Sequence, residues 1–270
     1  MFENSPQGRQ PAFNVPQIIL IILALLISIH VIRSLVLPER TDFDVLLKLS
    51  FIPARYFGNA DVIPGGMGAM AWSPITYSLL HANFQHLIIN CLWLLVFGSA
   101  VARRFGTERF VLLSAAAAAG GALLHLISYP NDIVPLVGAS AAISGHTAAA
   151  ARFVFEPGGP MGPMRHPGAW YNPAPPLRLL MRNRMVLFFV GIWFALNLLT
   201  GLGSFAVEGG GSTIAWQAHV GGFLVGLFLF PYLDPVGGSG PKPPVAKRDP
   251  NLSKFKVIQG DREEDNNKRH

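Results

Sequence analysis

Residues 18–37 read IILIILALLISIHVIRSLVL. As a helix rising 1.5 Å per residue this stretch spans about 30 Å, the thickness of a bilayer's hydrocarbon core. Five further apolar blocks follow: Ile75–Val101, Phe110–Tyr129, Val134–Phe155, Met185–Leu202 and Ile214–Leu233. None of the six holds an Asp or Glu. The chain has 270 residues, of which 51% are hydrophobic and 13% charged. Soluble domains carry about 25% charged residues. Six such blocks leave too little polar sequence to cover a soluble core. An ordinary cytosolic enzyme and a disordered chain are thereby excluded, and the expected fold is an all-α membrane protein with six transmembrane helices. The first block is too long for a signal peptide, and no small-residue cleavage site follows it.

The placement of Lys and Arg predicts orientation. With the connections taken alternately, one side holds Arg9 in the N-terminal tail and Arg103, Arg104 and Arg109 between blocks two and three. It also holds Arg152, Arg165, Arg178, Arg182 and Arg184 around the fourth connection, and eight more in the C-terminal tail. That is 17 of the 21 basic residues. The other side has only Arg33, Arg40, Lys48 and Arg55. Both termini are expected in the cytosol, in a multi-pass protein of a bacterial inner (plasma) membrane. The +6 net charge is then an orientation signal and not a nucleic-acid footprint, so no nucleic-acid partner is expected.

The expected layout is a short tail over residues 1–14, a membrane domain over 15–234 and a flexible polar tail over 235–270. Within the long first outer segment, DFDVLLKLSFIPARYFG alternates apolar and charged residues at helical spacing. It predicts a short helix lying in the membrane interface. The connection EPGGPMGPMRHPGAWYNPAPP is rich in Pro and Gly and predicts little regular structure.

Polar groups inside spans are costly and mark function. Here they are His30, His81, His86, Asn90, His125, Ser140, Ser144, His146, Asn197, Gln217 and His219, with Arg33 expected to snorkel from the end of the first span. Three local patterns stand out. In HANFQHLIIN, His86 and Asn90 are four apart and share a helix face, which suits either site chemistry or hydrogen bonding between helices. In GASAAISG, Ser140 has small neighbours, as close approach by a substrate requires, but Ala141, Gly145 and Ala148 also make a packing face. In AHVGGFLVG, His219, Gly222 and Gly226 share a face, with Gly222 and Gly226 in a GxxxG spacing. His219 then acts on a partner in the joint or donates to a backbone carbonyl across it. The order of the spans puts Ser140, His219, His81 and His86 all in the outer layer. No H-E-x-x-H occurs and no span holds a carboxylate; neither a metal nor a cofactor is expected. The lone Cys91 excludes an internal disulfide and reads as packing.

In combination these patterns resemble the rhomboid intramembrane serine proteases. The likeness covers about Ile18 to Leu233 and rests on H-x4-H-x3-N (His81, His86, Asn90), G-x-S (Gly138–Ser140) and A-H-x-x-G-x-x-x-G (Ala218–Gly226), in the family's order on spans two, four and six. The resemblance implies a six-helix rhomboid-like bundle. Ser140 would be the nucleophile and His219 its general base. His86, Asn90 and the Ser140 backbone N–H would bind the oxyanion, with His81, Gly138, Ala141 and Gly222 in support. The implied partners are transmembrane protein substrates and the lipid bilayer. The chain departs from the family in three places. Ala141 stands where Gly usually follows the Ser, Ser73 follows Trp72 where many members have Arg, and Ser144 stands where some members stack an aromatic ring on the His.

The residues support this chemistry on their own terms. A serine hydroxyl needs a base to take its proton, and without a carboxylate in any span that base is a histidine. The expected centre is a Ser–His dyad with no third member; His30, His125, His146 and Asn197 read as structural. Two other readings compete. A rhomboid-like pseudoprotease would bind membrane proteins without cutting them, a reading favoured by Ala141 alone. A small transporter would explain buried histidines but not the Ser–His matching.

Overall fold

The computed structural model of the chain describes residues 15–163, 168–201 and 215–236. The tails expected over 1–14 and 235–270 (apart from its first two residues), Arg165, and the block ends at Leu202 and Ile214 lie outside these residues. The helices in chain order are α1 (Gln17–Val36), α2 (Glu39–Leu49), α3 (Gly66–Thr76), α4 (Phe84–Phe105), α5 (Thr107–Ser128), α6 (Ser140–Ala151), α7 (Arg184–Gly201) and α8 (Trp216–Leu233). Among the described residues there is no β-strand, only one isolated bridge between Phe51 and Leu136. Among the described residues, four helices are long and apolar enough to cross a membrane: α1, α4, α5 and α8.

Two of the six expected spans differ from the sequence reading. The block Ile75–Val101 does not run as one helix. Pro74 lies near the end of α3, Leu80 turns to extended backbone, and Asn83 starts α4 by accepting the backbone N–H of His86 at 2.8 Å. His81 therefore sits in a linker and not within the span. The block Val134–Phe155 is helical only over the 12 residues of α6, about 18 Å long. Its first part is held extended: Phe51 and Leu136 exchange backbone hydrogen bonds, and Gly138 takes a φ of +121°. Such a φ is routine only for glycine. The apolar run was correct, but hydropathy does not separate a buried extended segment from a helix.

α6 is the centre of the molecule. Ala141 through Ala151 are all buried, and α8 lies against both α5 and α6. Small residues set this approach. A Cβ on Gly222 would collide with the Ala141 carbonyl, and one on Gly226 with the Gly145 carbonyl, so α8 and α6 touch backbone to backbone. On α5, a Cβ on Gly121 would lie 2.5 Å from that of Ala141. The Ala141 methyl thus fills the space Gly121 leaves and points into the α5 joint.

The ends of the bundle are pinned by charge. Arg33 does not snorkel; it is buried, with Nε 2.7 Å from Asp42 and Nη1 donating to the His81 carbonyl at 3.3 Å. Arg55, fully buried, donates to the carbonyls of Leu47, Ser50 and Pro64 and knits the first outer segment together. Of the stretch expected to be helical there, only its first part lies in α2; Phe51 pairs with Leu136 and Pro53–Tyr56 forms a 3₁₀ turn. At the far end of α8, Arg104 and Asp234 form a two-pronged buried ion pair, each contact 2.8 Å. Satisfied on both prongs, such a pair is costly to break from one side. Between α6 and α7, the described part of the Pro/Gly-rich connection consists of turns, as expected, with one 3₁₀ turn at Ala169–Tyr171 and a single helical turn at Leu177–Leu180.

Candidate active site

Ser140 is the first residue of α6, so its backbone N–H has no acceptor within the helix and lies at the positive end of the helix dipole. Gly138, two residues before, is tied by its N–H to the Tyr77 carbonyl at 3.0 Å. The Leu136 carbonyl, four residues before Ser140, is taken by Phe51 N–H. No helical turn precedes Ser140, so the carbonyl that a helix-interior serine hydroxyl would use does not stand over it. The Ser140 hydroxyl instead meets His219 Nε2 at 2.7 Å. His219 lies in the first turn of α8, brought here by the glycine contacts with α6.

The other nitrogen of His219, Nδ1, meets Oδ1 of Asn197 on α7. Sequence reasoning makes Asn197 structural and gives the centre no third member; the structure puts its amide against the candidate base. The sequence signal was the polar residue itself within an apolar span, but its partner lies 22 residues away on another helix.

His86 approaches from α4. A Cβ on Gly138 would lie 2.8 Å from His86 Nε2 and 3.6 Å from Ser140 Oγ. The missing side chain therefore lets the His86 ring lie directly against Gly138, next to the Ser140 hydroxyl. Asn90, one turn on, is buried and donates to the His86 carbonyl at 2.9 Å. It is joined to the site through the His86 turn, with no direct contact to Ser140. His81 is buried edge-on to the His86 ring, centroids 5.1 Å apart, and to His30 at 6.4 Å. Ser140, His219, His86 and Asn197 each remain partly exposed, as a reaction that consumes water requires.

Of the departures, Ser144 donates its hydroxyl to the Ser140 carbonyl at 2.7 Å, and Ser73 is fully buried in α3. Ala141 turns its methyl away, as described above. Among the described residues no group of His, Cys, Asp or Glu is arranged to hold a metal ion. Elsewhere Gln217 donates to the Tyr129 hydroxyl at 2.8 Å, the His125 ring lies against Tyr129, and Cys91 packs on the main core.

The rhomboid domain family model matches residues 68–234, more than half of the chain. Over 232 residues the chain is 26% identical to RHOMBOID-like protein 4 of Arabidopsis thaliana, covering 82% of this chain and 49% of the relative. It is 28% identical to Rhomboid-like protease 3 of Toxoplasma gondii over 81% of this chain and 66% of that protein. With the rhomboid protease GluP of Bacillus subtilis it shares 29% identity over 58% of this chain and 25% of the relative. The chain thus spans between a quarter and two thirds of the length of these relatives. They come from a plant, a bacterium and Toxoplasma, so similarity assigns no bacterial membrane. The chain belongs to the rhomboid family and is an integral membrane protein.

Proposed function

From rhomboid membership as the premise, we propose that the chain is a serine endopeptidase that cleaves transmembrane segments of membrane proteins near the outer face of the bilayer. One observation carries this reading: a serine at the head of a buried helix has its hydroxyl 2.7 Å from a histidine nitrogen, with a second histidine packed against Gly138 beside it. His219 Nε2 takes the Ser140 proton as Oγ attacks the scissile carbonyl carbon. The oxyanion that forms is met by the Ser140 backbone N–H and the side chains of His86 and Asn90. His219 then returns the proton to the leaving amine, and the acyl group stays on Oγ as an ester. Water, deprotonated by His219, attacks that ester and restores Ser140.

The layout proposed with this activity is a six-helix membrane domain over 15–234. In it α6 is the shortest crossing and the tails 1–14 and 235–270 lie in the cytosol, as the 17 basic residues on one side support. A short α6 brings Ser140 below the membrane edge while water still reaches it. A substrate helix protects its backbone by its own hydrogen bonds, so cleavage favours segments with Gly or Pro near the scissile bond.

The test is cleavage of a transmembrane model substrate in proteoliposomes by wild type and Ser140→Ala. Cleavage by wild type alone is expected. A wild type inactive across a broad substrate panel would overturn the protease reading and leave binding without cleavage in its place.

A further inference from the structure

Asn197 belongs to none of the three sequence patterns, yet its amide is fixed at both ends. Nδ2 donates to the Trp193 carbonyl one turn earlier at 2.7 Å, which turns Oδ1 toward His219 Nδ1. An amide oxygen only accepts hydrogen bonds. The contact therefore puts the imidazole proton on Nδ1 and leaves the lone pair of Nε2 facing the Ser140 hydroxyl. That is the tautomer in which a histidine can take the serine's proton; the other would set two acceptors against each other. After proton transfer the same oxygen still receives the Nδ1–H of the imidazolium.

The surroundings hold this arrangement in register. Trp193, one turn before Asn197, stacks on Phe223, one turn after His219, with centroids 4.8 Å apart. The two contacts are consecutive rungs between antiparallel α7 and α8. Among the described residues no aromatic ring lies against His219, and Ser144 spends its hydroxyl on the Ser140 carbonyl. The orientation of the imidazole is thus set by the partners of its two nitrogens.

We infer that Asn197 is a positioning residue that fixes the tautomer and orientation of His219. The inference rests on the Ser140–His219 reading proposed above. The test uses the full chain with a transmembrane model substrate and a fluorophosphonate that labels an activated serine. Asn197→Leu keeps the size and removes the acceptor. It is expected to lower kcat at least about tenfold with KM little changed, and to slow labelling in parallel. Asn197→Asp keeps the acceptor and adds a charge that stabilises the imidazolium. It is expected to retain cleavage, with the acidic limb of the rate–pH profile moved to higher pH. Unchanged kcat in Asn197→Leu, or an acidic limb at the wild-type position in Asn197→Asp, would overturn the inference. If Asn197→Leu does not fold, the Asp variant decides alone. A wild type that neither cleaves nor labels removes the protease reading itself and this role with it, a result distinct from an active wild type indifferent to position 197.

Discussion

Of the Ser–His pairs among the described residues, two have nearly equal length and opposite character. Ser140 and His219 approach to 2.7 Å, and Ser114 and His146 to 2.8 Å. Ser114 sits mid-way along α5 and gives its hydroxyl proton to the Phe110 carbonyl one turn back, at 2.7 Å. It can then only accept from His146, whose Nε2 must be the donor. His146 is sealed in the bundle, stacked on Phe110 at 4.6 Å, and its Nδ1 has no partner among the described residues. Ser140 begins its helix, no preceding turn offers its hydroxyl a carbonyl, and that hydroxyl meets His219. Here the histidine is the acceptor, because Asn197 holds its other nitrogen as a donor. Distance alone does not distinguish a nucleophile from a packing contact; the destination of the hydroxyl proton does.

Removing each histidine breaks the comparison most sharply. His219→Ala is expected to reduce kcat by about 10⁴-fold or more, as loss of a catalytic serine or histidine does in soluble serine proteases. His146→Phe keeps the ring against Phe110 and leaves the Ser114 hydroxyl satisfied, so its kcat should stay at the wild-type level. Steady-state cleavage rates check both, and a comparable loss in His146→Phe would mean the pairs had been distinguished wrongly. A smaller effect is expected at His86, which lies against Gly138 beside the first pair. His86→Ala should lower kcat by about 10²–10³, the usual cost of one oxyanion donor, with KM largely kept. A change in KM alone would instead assign His86 to substrate binding.

Much of this was legible in the chain. The apolar blocks announced the membrane helices because burial in lipid demands an unbroken apolar run, and Gly222 and Gly226 announced the close approach of α8. The order of His86, Ser140 and His219 brought the site's residues into one layer. Other features were hidden for physical reasons. The extended stretch before Ser140 is as apolar as a helix, and it is held by backbone contacts to Phe51 and Tyr77 that no local pattern encodes. Arg33 found Asp42 and did not snorkel, because α2 begins just past the end of α1 and puts Asp42 within reach. Asn197 and Ser114 owe their roles to partners on other helices. Ser114 in particular looks like any helix-interior serine until His146 is beside it.

The central claim is that the Ser140 hydroxyl, alone of the two, is activated. Fluorophosphonate treatment of the full-length protein, followed by mass-spectrometric mapping of the adduct, tests it directly. The account predicts an adduct on Ser140, absent in His219→Ala and unaffected in His146→Phe. An adduct on Ser114, or none on Ser140 in a protein that cleaves its substrate, would contradict it.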